Sequence, residues 1–364
     1  VETNKDRDYL QRCFQLALQG AGNVAPNPMV GAVLVYNDVI IGEGYHQKYG
    51  EAHAEVNCIN KALEHHAELI GKATLYVSLE PCSHYGKTPP CADLIIRHKI
   101  PKVVIGCRDS FAAVNGKGVE RLQNAGITVV EHVLEKEAIE LNKRFFTFHR
   151  LKRPYIILKW AQTRNQIIAS GTDTRLMITS EITNRLVHRW RTEESAIMVG
   201  AGTAMKDDPL LDNRNWYGRP PLKIVVSASG KLPEGLRMFQ SGADTFIFNT
   251  RKEEEQNGKR FLRVSAAQFL EDMLNRLYRL QVQSILVEGG QRLLQSFIDA
   301  GLWDEARVIT NTVMLAHGGL EAPKLHRHQL IKVQHLVTDE IAVYKNDKNQ
   351  LINSDGESAL LSND

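Results

Sequence analysis

At 364 residues the chain is too long for one ordinary domain, and with 43% hydrophobic and 24% charged residues it can fill two cores. A net charge of +3, made of interspersed signs, argues against a dedicated nucleic-acid or membrane surface and leaves room for a local basic pocket. No apolar run approaches about 18 residues, the first residues, VETNKDRDYLQRCF, do not read as a signal peptide, and five cysteines, an odd number, predict reduced thiols and a cytoplasmic location.

Along the first 150 residues, helical and strand patterns alternate. Residues 8–20 space apolar positions at helical intervals and end at a glycine, and MVGAVLVYNDVIIGEGYH predicts a hairpin turning near Asn37 and Asp38. A helix is expected over 53–66, a buried strand at ATLYVSL (73–79), a helix at ADLIIRHK, a strand at KVVIGC, a helix at VERLQNAG and a last strand at ITVVEHVL. Helices between short apolar strands imply a three-layer α/β domain. A boundary is expected at 143–153, where KRFFTFHRLKRP is basic, ends in proline and precedes a new strand, YIILKWA. Beyond it SAIMVGAG, LKIVVSAS, DTFIFNT and SILVEGG predict strands, with helices at ITNRLVHRWRTEE, AAQFLEDMLNRL and QRLLQSFIDAG. The domains are therefore set at 1–149 and 150–346, with a polar, aperiodic and flexible tail over 347–364.

The chemistry-bearing residues of the first half are His53 and Glu55 in EAHAEVNC, and Cys82 and Cys91 in LEPCSHYGKTPPC. Cys82 follows a buried strand, while Cys91 opens a helix after Pro90, where the helix dipole favours the thiolate that zinc requires. Two thiolates and one imidazole make a three-ligand zinc site with a position left for water, the catalytic arrangement; a structural site would need a fourth ligand, which Cys58 or His84 could offer. In a regular helix, positions i and i+2 point about 200° apart, so His53 and Glu55 converge only where the backbone is turning into the helix, as Gly50 and Glu51 just upstream allow. There Glu55 would stand beside a water whose pKa zinc lowers toward neutrality, as proton carrier and not as ligand.

In the second half Lys159 interrupts the apolar run YIILKWA, which calls for an anionic partner, the open end of the strand, or an edge strand facing solvent. MVGAGTAMKDDPLL (198–211) places glycines and two acids after a strand without matching a dinucleotide fingerprint, since Met205 stands where the third glycine belongs. SILVEGGQRLLQSFI (284–298) runs from strand to helix through Gly289 and Gly290, a turn that can show backbone N–H groups to a phosphate.

His-Ala-Glu followed by Pro-Cys and a second Cys is similar to the cytidine-deaminase-like zinc deaminases, with eight residues, SHYGKTPP, between the cysteines in place of two. That insertion, with PNPMVGAVLV (26–35), resembles the deaminase half of the bifunctional riboflavin-biosynthesis family. The resemblance covers nearly the whole chain, because that family joins the deaminase to a dihydrofolate-reductase-like reductase. It implies a cytidine-deaminase-like three-layer α/β/α domain followed by a dihydrofolate-reductase-like α/β domain. The reactions implied are zinc-dependent deamination of 2,5-diamino-6-(5-phosphoribosylamino)pyrimidin-4(3H)-one, then NADPH-dependent reduction of the ribose of 5-amino-6-(5-phosphoribosylamino)uracil. By the same resemblance Asn27, His84 and Lys87 meet the first substrate, and Arg175, Arg191, Leu211, Arg214 and Glu288 face the ribose phosphate of the second. Ala161, Thr203, Asp207, Ser227 and the 290–296 turn with Gly290 fall at cofactor positions. Lys159 would reach the sugar as the catalytic residue of the reductase. The chain departs from the family at QTRNQ (162–166), which lacks a glycine expected near the nicotinamide, and at Met177, a cofactor position where a Trp is common.

Two other readings compete. A nucleic-acid base deaminase with an accessory domain would want a basic, aromatic groove, whereas the positive charge here is scattered. A non-catalytic zinc-stabilised module would need four protein ligands. The expected partner is a phosphorylated, nucleotide-like pyrimidine, with neither nucleic acid nor membrane involved and a homo-oligomer left open.

Overall fold

The computed structural model describes residues 3–83, 89–109, 116–172, 176–240 and 244–349. The chain divides into two compact units, Val1–Leu151 and Lys152–Asp364. No helix among the described residues is long and apolar enough to cross a membrane.

The first unit opens with α1 (Asn4–Ala17), which begins earlier than its apolar spacing predicts because Thr3 caps it. The Thr3 hydroxyl accepts the Asp6 amide, and the Asp6 carboxylate accepts the Thr3 amide at 2.9 Å. β1 (Gly31–Tyr36) and β2 (Val39–Tyr45) form the predicted hairpin, with Asn37 and Asp38 at φ 45° and 63°, the left-handed pair that a two-residue turn requires. There follow α2 (Ala54–Leu63), β3 (Thr74–Leu79), α3 (Cys91–Arg97), β4 (Lys102–Cys107), α4 (Lys117–Asn124), β5 (Thr128–Val130), α5 (Glu135–Leu141) and α6 (Lys143–Leu151). The sheet order is β2-β1-β3-β4-β5, antiparallel from β2 to β3 and parallel from β3 to β5.

Strand alternation sorts the side chains into two cores. Ala32, Leu34, Leu75, Val77, Val103 and Ile105 pack under α2, α3 and α4. Val33, Val35, Tyr76 and Val104 pack against Leu10, Cys13 and Leu16 of α1. The expected three layers are present. The division after Leu151 falls within the basic stretch 143–153, most of which is helical: Phe145, Phe146 and Phe148 are buried, and these aromatic residues give α6 a reason to dock that its basic flanks conceal.

The second unit contains β6 (Tyr155–Thr163), β7 (Ile167–Ala169), α7 (Glu181–Glu193), β8 (Ala196–Gly200), α8 (Ala201–Asp207), β9 (Leu222–Val226), β10 (Thr245–Asn249), β11 (Glu254–Gln256) and β12 (Lys259–Arg263). It continues with α9 (Phe269–Arg279), β13 (Ser284–Val287), α10 (Gln291–Ala300), β14 (Glu305–Asn311), β15 (Leu320–Glu321), β16 (His328–Leu336) and β17 (Asp339–Asn346). Among the described residues the main sheet runs β11-β12-β10-β9-β8-β13-β6-β14-β17-β16, parallel from β12 to β14. One face carries Ile156, Leu158, Met198, Ile285 and Val287 against α9 and α10. On the other, Tyr155, Ile157 and Leu286 meet Val187 and Trp190 of α7. β14, β16 and β17 go beyond the predicted elements; β16 is an edge strand with mostly exposed residues, so it lacks the alternation that marks a half-buried strand.

A buried ion pair ties the start of this unit to β14. Both terminal nitrogens of Arg153 reach Asp304, at 2.6 and 2.7 Å, and Asp304 also accepts the Ile156 amide at 2.8 Å. Asp304→Ala leaves the guanidinium buried without its counter-ion and is expected to cost about 3–5 kcal/mol. Urea unfolding followed by tryptophan fluorescence measures it, and a loss under about 1 kcal/mol, the scale of an exposed pair, would refute the assignment.

Candidate active sites

His53 is the N-cap of α2, in extended backbone at φ −73° and ψ 167°, while Glu55 lies in the first turn. The pair therefore straddles the helix start, and Gly50 at φ 84° turns the chain into it. Cys91 is the first residue of α3, behind Pro90. Nδ1 of His53 lies 3.5 Å from Sγ of Cys82 and 3.4 Å from Sγ of Cys91, and the three ligand atoms fall within 4.8 Å of one another. A tetrahedral zinc separates a sulfur and a nitrogen ligand by about 3.5 Å, so this donor set fits that metal. The ends of the segment that joins the cysteines are tied together: the Cys91 amide donates to Sγ of Cys82 at 3.3 Å, and the Ala92 amide donates to the Cys82 carbonyl at 3.1 Å. Cys58, one of the two residues that could have offered a fourth ligand, is buried in the core, its thiol 3.3 Å from the Gly42 carbonyl.

Electrostatics sharpen the roles. The Cys82 thiol is held down to about 4, chiefly by the hydrogen bond from Cys91 and, against burial, by His53. The Cys91 thiol is raised by that same hydrogen bond and by burial. Glu55 is 3% exposed, and burial, reinforced by Cys82, pushes its carboxyl up to about 7. A carboxyl poised there can both take and give a proton near neutral pH.

Asn27 adjoins this cluster through a residue the sequence reading missed. Nδ1 of His46 lies 3.0 Å from the Ala52 carbonyl and therefore donates, so Nε2 accepts the Asn27 amide at 3.2 Å. The His46 ring stands edge-on to His53, with centroids 5.4 Å apart. Glu80 was also missed: it is buried, and its carboxylate accepts the amides of Asp109, Gly116, Gly118 and Val119 at 2.9–3.3 Å. An acid directly after a buried strand is the one signal in the sequence for it. His84 and Lys87 lie outside the described residues.

In the second unit Lys159 sits on β6, between β13 and β14, so it is not an edge lysine. Its Nζ lies 3.7 Å from Glu288, the kind of anionic partner a buried lysine needs. Arg191 gives Nε and Nη2 to Glu288 at 2.7 and 2.8 Å, and Nη1 to the Asp212 carbonyl at 2.7 Å. Against burial, Arg191 and Lys159 hold the Glu288 carboxyl down to about 2. The guanidinium fork expected to grip a phosphate thus holds a carboxylate here. Arg214 is half exposed, with Nη1 2.5 Å from Asp212. Leu211 is 2% exposed and packs beside Ile197, Val199 and Val225, which leaves its main chain to meet a ligand.

Ala161, Thr203, Ser227 and Gly290 fall at or just beyond the C-terminal ends of the neighbouring parallel strands β6, β8, β9 and β13, where open α/β sheets bind ligands. Gly290 caps α10, and a Cβ there would come within 2.8 Å of the Thr203 hydroxyl, so a side chain would have to displace that group. Its backbone can approach an anionic cofactor closely. Asp207 ends α8, Met177 is exposed, and Arg175 lies outside the described residues.

Residues 3–107 match the family model for the cytidine and deoxycytidylate deaminase zinc-binding region, and residues 154–348 match the RibD C-terminal domain. The riboflavin biosynthesis protein RibD of Aquifex aeolicus is 39% identical over 321 residues, spanning 86% of this chain and 88% of its own. That of Escherichia coli is 34% identical over 320 residues, spanning 83% and 86%. Among solved structures, a diaminohydroxyphosphoribosylaminopyrimidine deaminase/5-amino-6-(5-phosphoribosylamino)uracil reductase from Thermotoga maritima is 35% identical and covers 94% of this chain and 99% of that one, with a TM-score of 0.87.

Proposed function

The chain belongs to the RibD family, bifunctional deaminase–reductases of riboflavin biosynthesis, and on that premise we propose what its two halves act on and with which residues. Residues 1–149 deaminate a diaminopyrimidinone that carries a ribosylamino 5′-phosphate, and residues 150–346 reduce the ribose of the deaminated product. The observation that carries the first assignment is the cluster of His53, Cys82 and Cys91 beside a buried Glu55.

His53, Cys82 and Cys91 would hold zinc, which when bound lowers the pKa of a water toward neutrality. Glu55 takes the proton of the attacking water, passes it to the ring nitrogen and later delivers one to the departing ammonia. Asn27 spends its amide N–H on His46 and so keeps its carbonyl oxygen for a donor on the pyrimidine edge. His84 and Lys87 complete the contact with base and phosphate; a lysine ammonium suits a phosphate.

In the reductase, NADPH would lie along Ala161, Met177, Thr203, Asp207, Ser227 and Gly290 and supply hydride to C1′ of the ribose. Glu288 holds Lys159 and Arg191 together, so that the Lys159 ammonium is presented to the sugar from β6. Arg214, with Arg175 and the main chain at Leu211, meets the 5′-phosphate, and Arg191 braces them through Asp212. One assay tests both halves: the aminopyrimidine phosphate is supplied, and ammonia release and NADPH oxidation are followed separately. Ammonia release without any NADPH oxidation, as would follow if Met177 and QTRNQ had spoiled the second site, would remove the NADPH assignment and leave the deaminase standing.

Lys159→Met is expected to slow reduction of the already deaminated substrate by roughly a hundredfold or more, the scale of a positioned proton or charge donor. Ammonia release from the first half should continue at the wild-type rate. Reduction at an unchanged kcat would rule Lys159 out of the chemistry.

A further inference from the structure

His188 lies three residues before Arg191 on α7, so the two side chains share a helix face. It is 1% exposed, and its Nδ1 has no hydrogen-bond partner among the described residues. Buried polar atoms are normally satisfied, so an orphan nitrogen in a cluster of charges marks a contact that folding alone does not make.

The charged groups that act on the ring come from three places. Arg191 is on its own helix, Asp212 and Arg214 lie on the segment after α8, and Glu288 follows β13 and in turn pairs with Lys159 of β6. Arg191 is committed to Glu288 and to the Asp212 carbonyl, while Arg214 is 53% exposed and bound to Asp212. Three cations against two carboxylates leave this cluster one positive charge. A phosphate dianion turns that into one negative charge, and a proton on His188 cancels it.

We propose that Nδ1 of His188 is reserved for the 5′-phosphate of the reductase substrate, and that this phosphate binds together with one proton on the His188 ring. The proposal rests on the placement of that phosphate at Arg214. Without a ligand, burial first and then Arg191 and Arg214 hold the ring down to about 4, so it is neutral at pH 7. A neighbouring dianion raises it, so binding takes up a proton, and the gain is lost as pH rises through the value in the complex.

The test is calorimetric binding of the deaminated substrate to the full-length protein without NADPH, in buffers of different ionisation enthalpy at about pH 7, where the phosphate (second pKa about 6) is mostly dianionic. Wild type should take up protons on binding, and His188→Asn, which keeps a hydrogen-bonding nitrogen but cannot titrate, should not. His188→Leu should raise KM for reduction roughly ten- to hundredfold, the scale of one hydrogen bond to a charged group, with kcat nearly unchanged. Asn should recover most of that KM and none of the proton uptake, which a merely structural role would not produce. If Leu fails to fold, the proton count in Asn decides alone. Equal proton uptake in wild type and His188→Asn would overturn the proposal. Arg214→Ala separates the two layers: weakened binding there, with His188→Asn still taking up protons like wild type, sinks His188 alone, whereas unchanged binding in Arg214→Ala removes the phosphate placement and the proposal with it.

Discussion

Glu55→Gln is expected to lower ammonia release by roughly a hundredfold or more, while the metal stays in place and reduction of deaminated substrate proceeds normally. Glutamine preserves the shape and the burial of the side chain, and position 55 is not one of the three, His53, Cys82 and Cys91, whose ligand atoms could hold a metal ion. What it loses is the ability to accept a proton and return it. The carboxyl of Glu55 is suited to both halves of that exchange because its 3% exposure lifts it to about 7, so neither protonation state is far from reach at neutral pH. Metal analysis and an ammonia assay on the same preparation check the result. Ammonia release at the wild-type rate would end the proton-carrier assignment whatever the metal content.

Cys91→Ser is expected to empty the metal site and abolish deamination. The purified wild type should carry about one zinc per chain, as a three-ligand catalytic site requires. Serine in place of Cys91 removes one of three close-set ligand atoms and with it the thiol that donates to Cys82 and holds that thiol down. Both effects weaken the remaining ligands, since zinc takes cysteine as thiolate. Cys82→Ser should behave the same way, and the second unit, which has its own core, should still reduce substrate. Undiminished zinc in both variants would show that the metal is held elsewhere.

That His53, Cys82 and Cys91 come together beside Glu55 was legible in the sequence because cysteine and histidine at a strand end and at helix starts have few other reasons to recur together. The hairpin was legible for a similar reason: Asn37 and Asp38 are among the few residues at ease at positive φ. Other parts depended on tertiary neighbours. α5 starts from Leu134 in the left-handed region, without a capping side chain, and α6 hides its phenylalanines among basic residues. β16 has little buried surface to pattern it. His46 and Glu80 are ordinary residues until Asn27, Ala52 and a row of backbone amides are brought up to them. The resemblance turns Arg191 toward the ribose phosphate, and only the fold shows that its guanidinium is held by Glu288.

The tie between the two cysteines has a consequence for how such a protein can change over time. The Ala92 amide on the Cys82 carbonyl and the Cys91 amide on the Cys82 sulfur tie the two ends of the segment to each other and hold the Cys82 sulfur from the framework side. Closing a segment of twice the length costs only about 0.6 kcal/mol more. The intervening residues can therefore lengthen, shorten or exchange side chains while the segment's ends stay tied. The sequence between the cysteines, SHYGKTPP in this chain, can then drift on its own without moving the ends that the two hydrogen bonds tie.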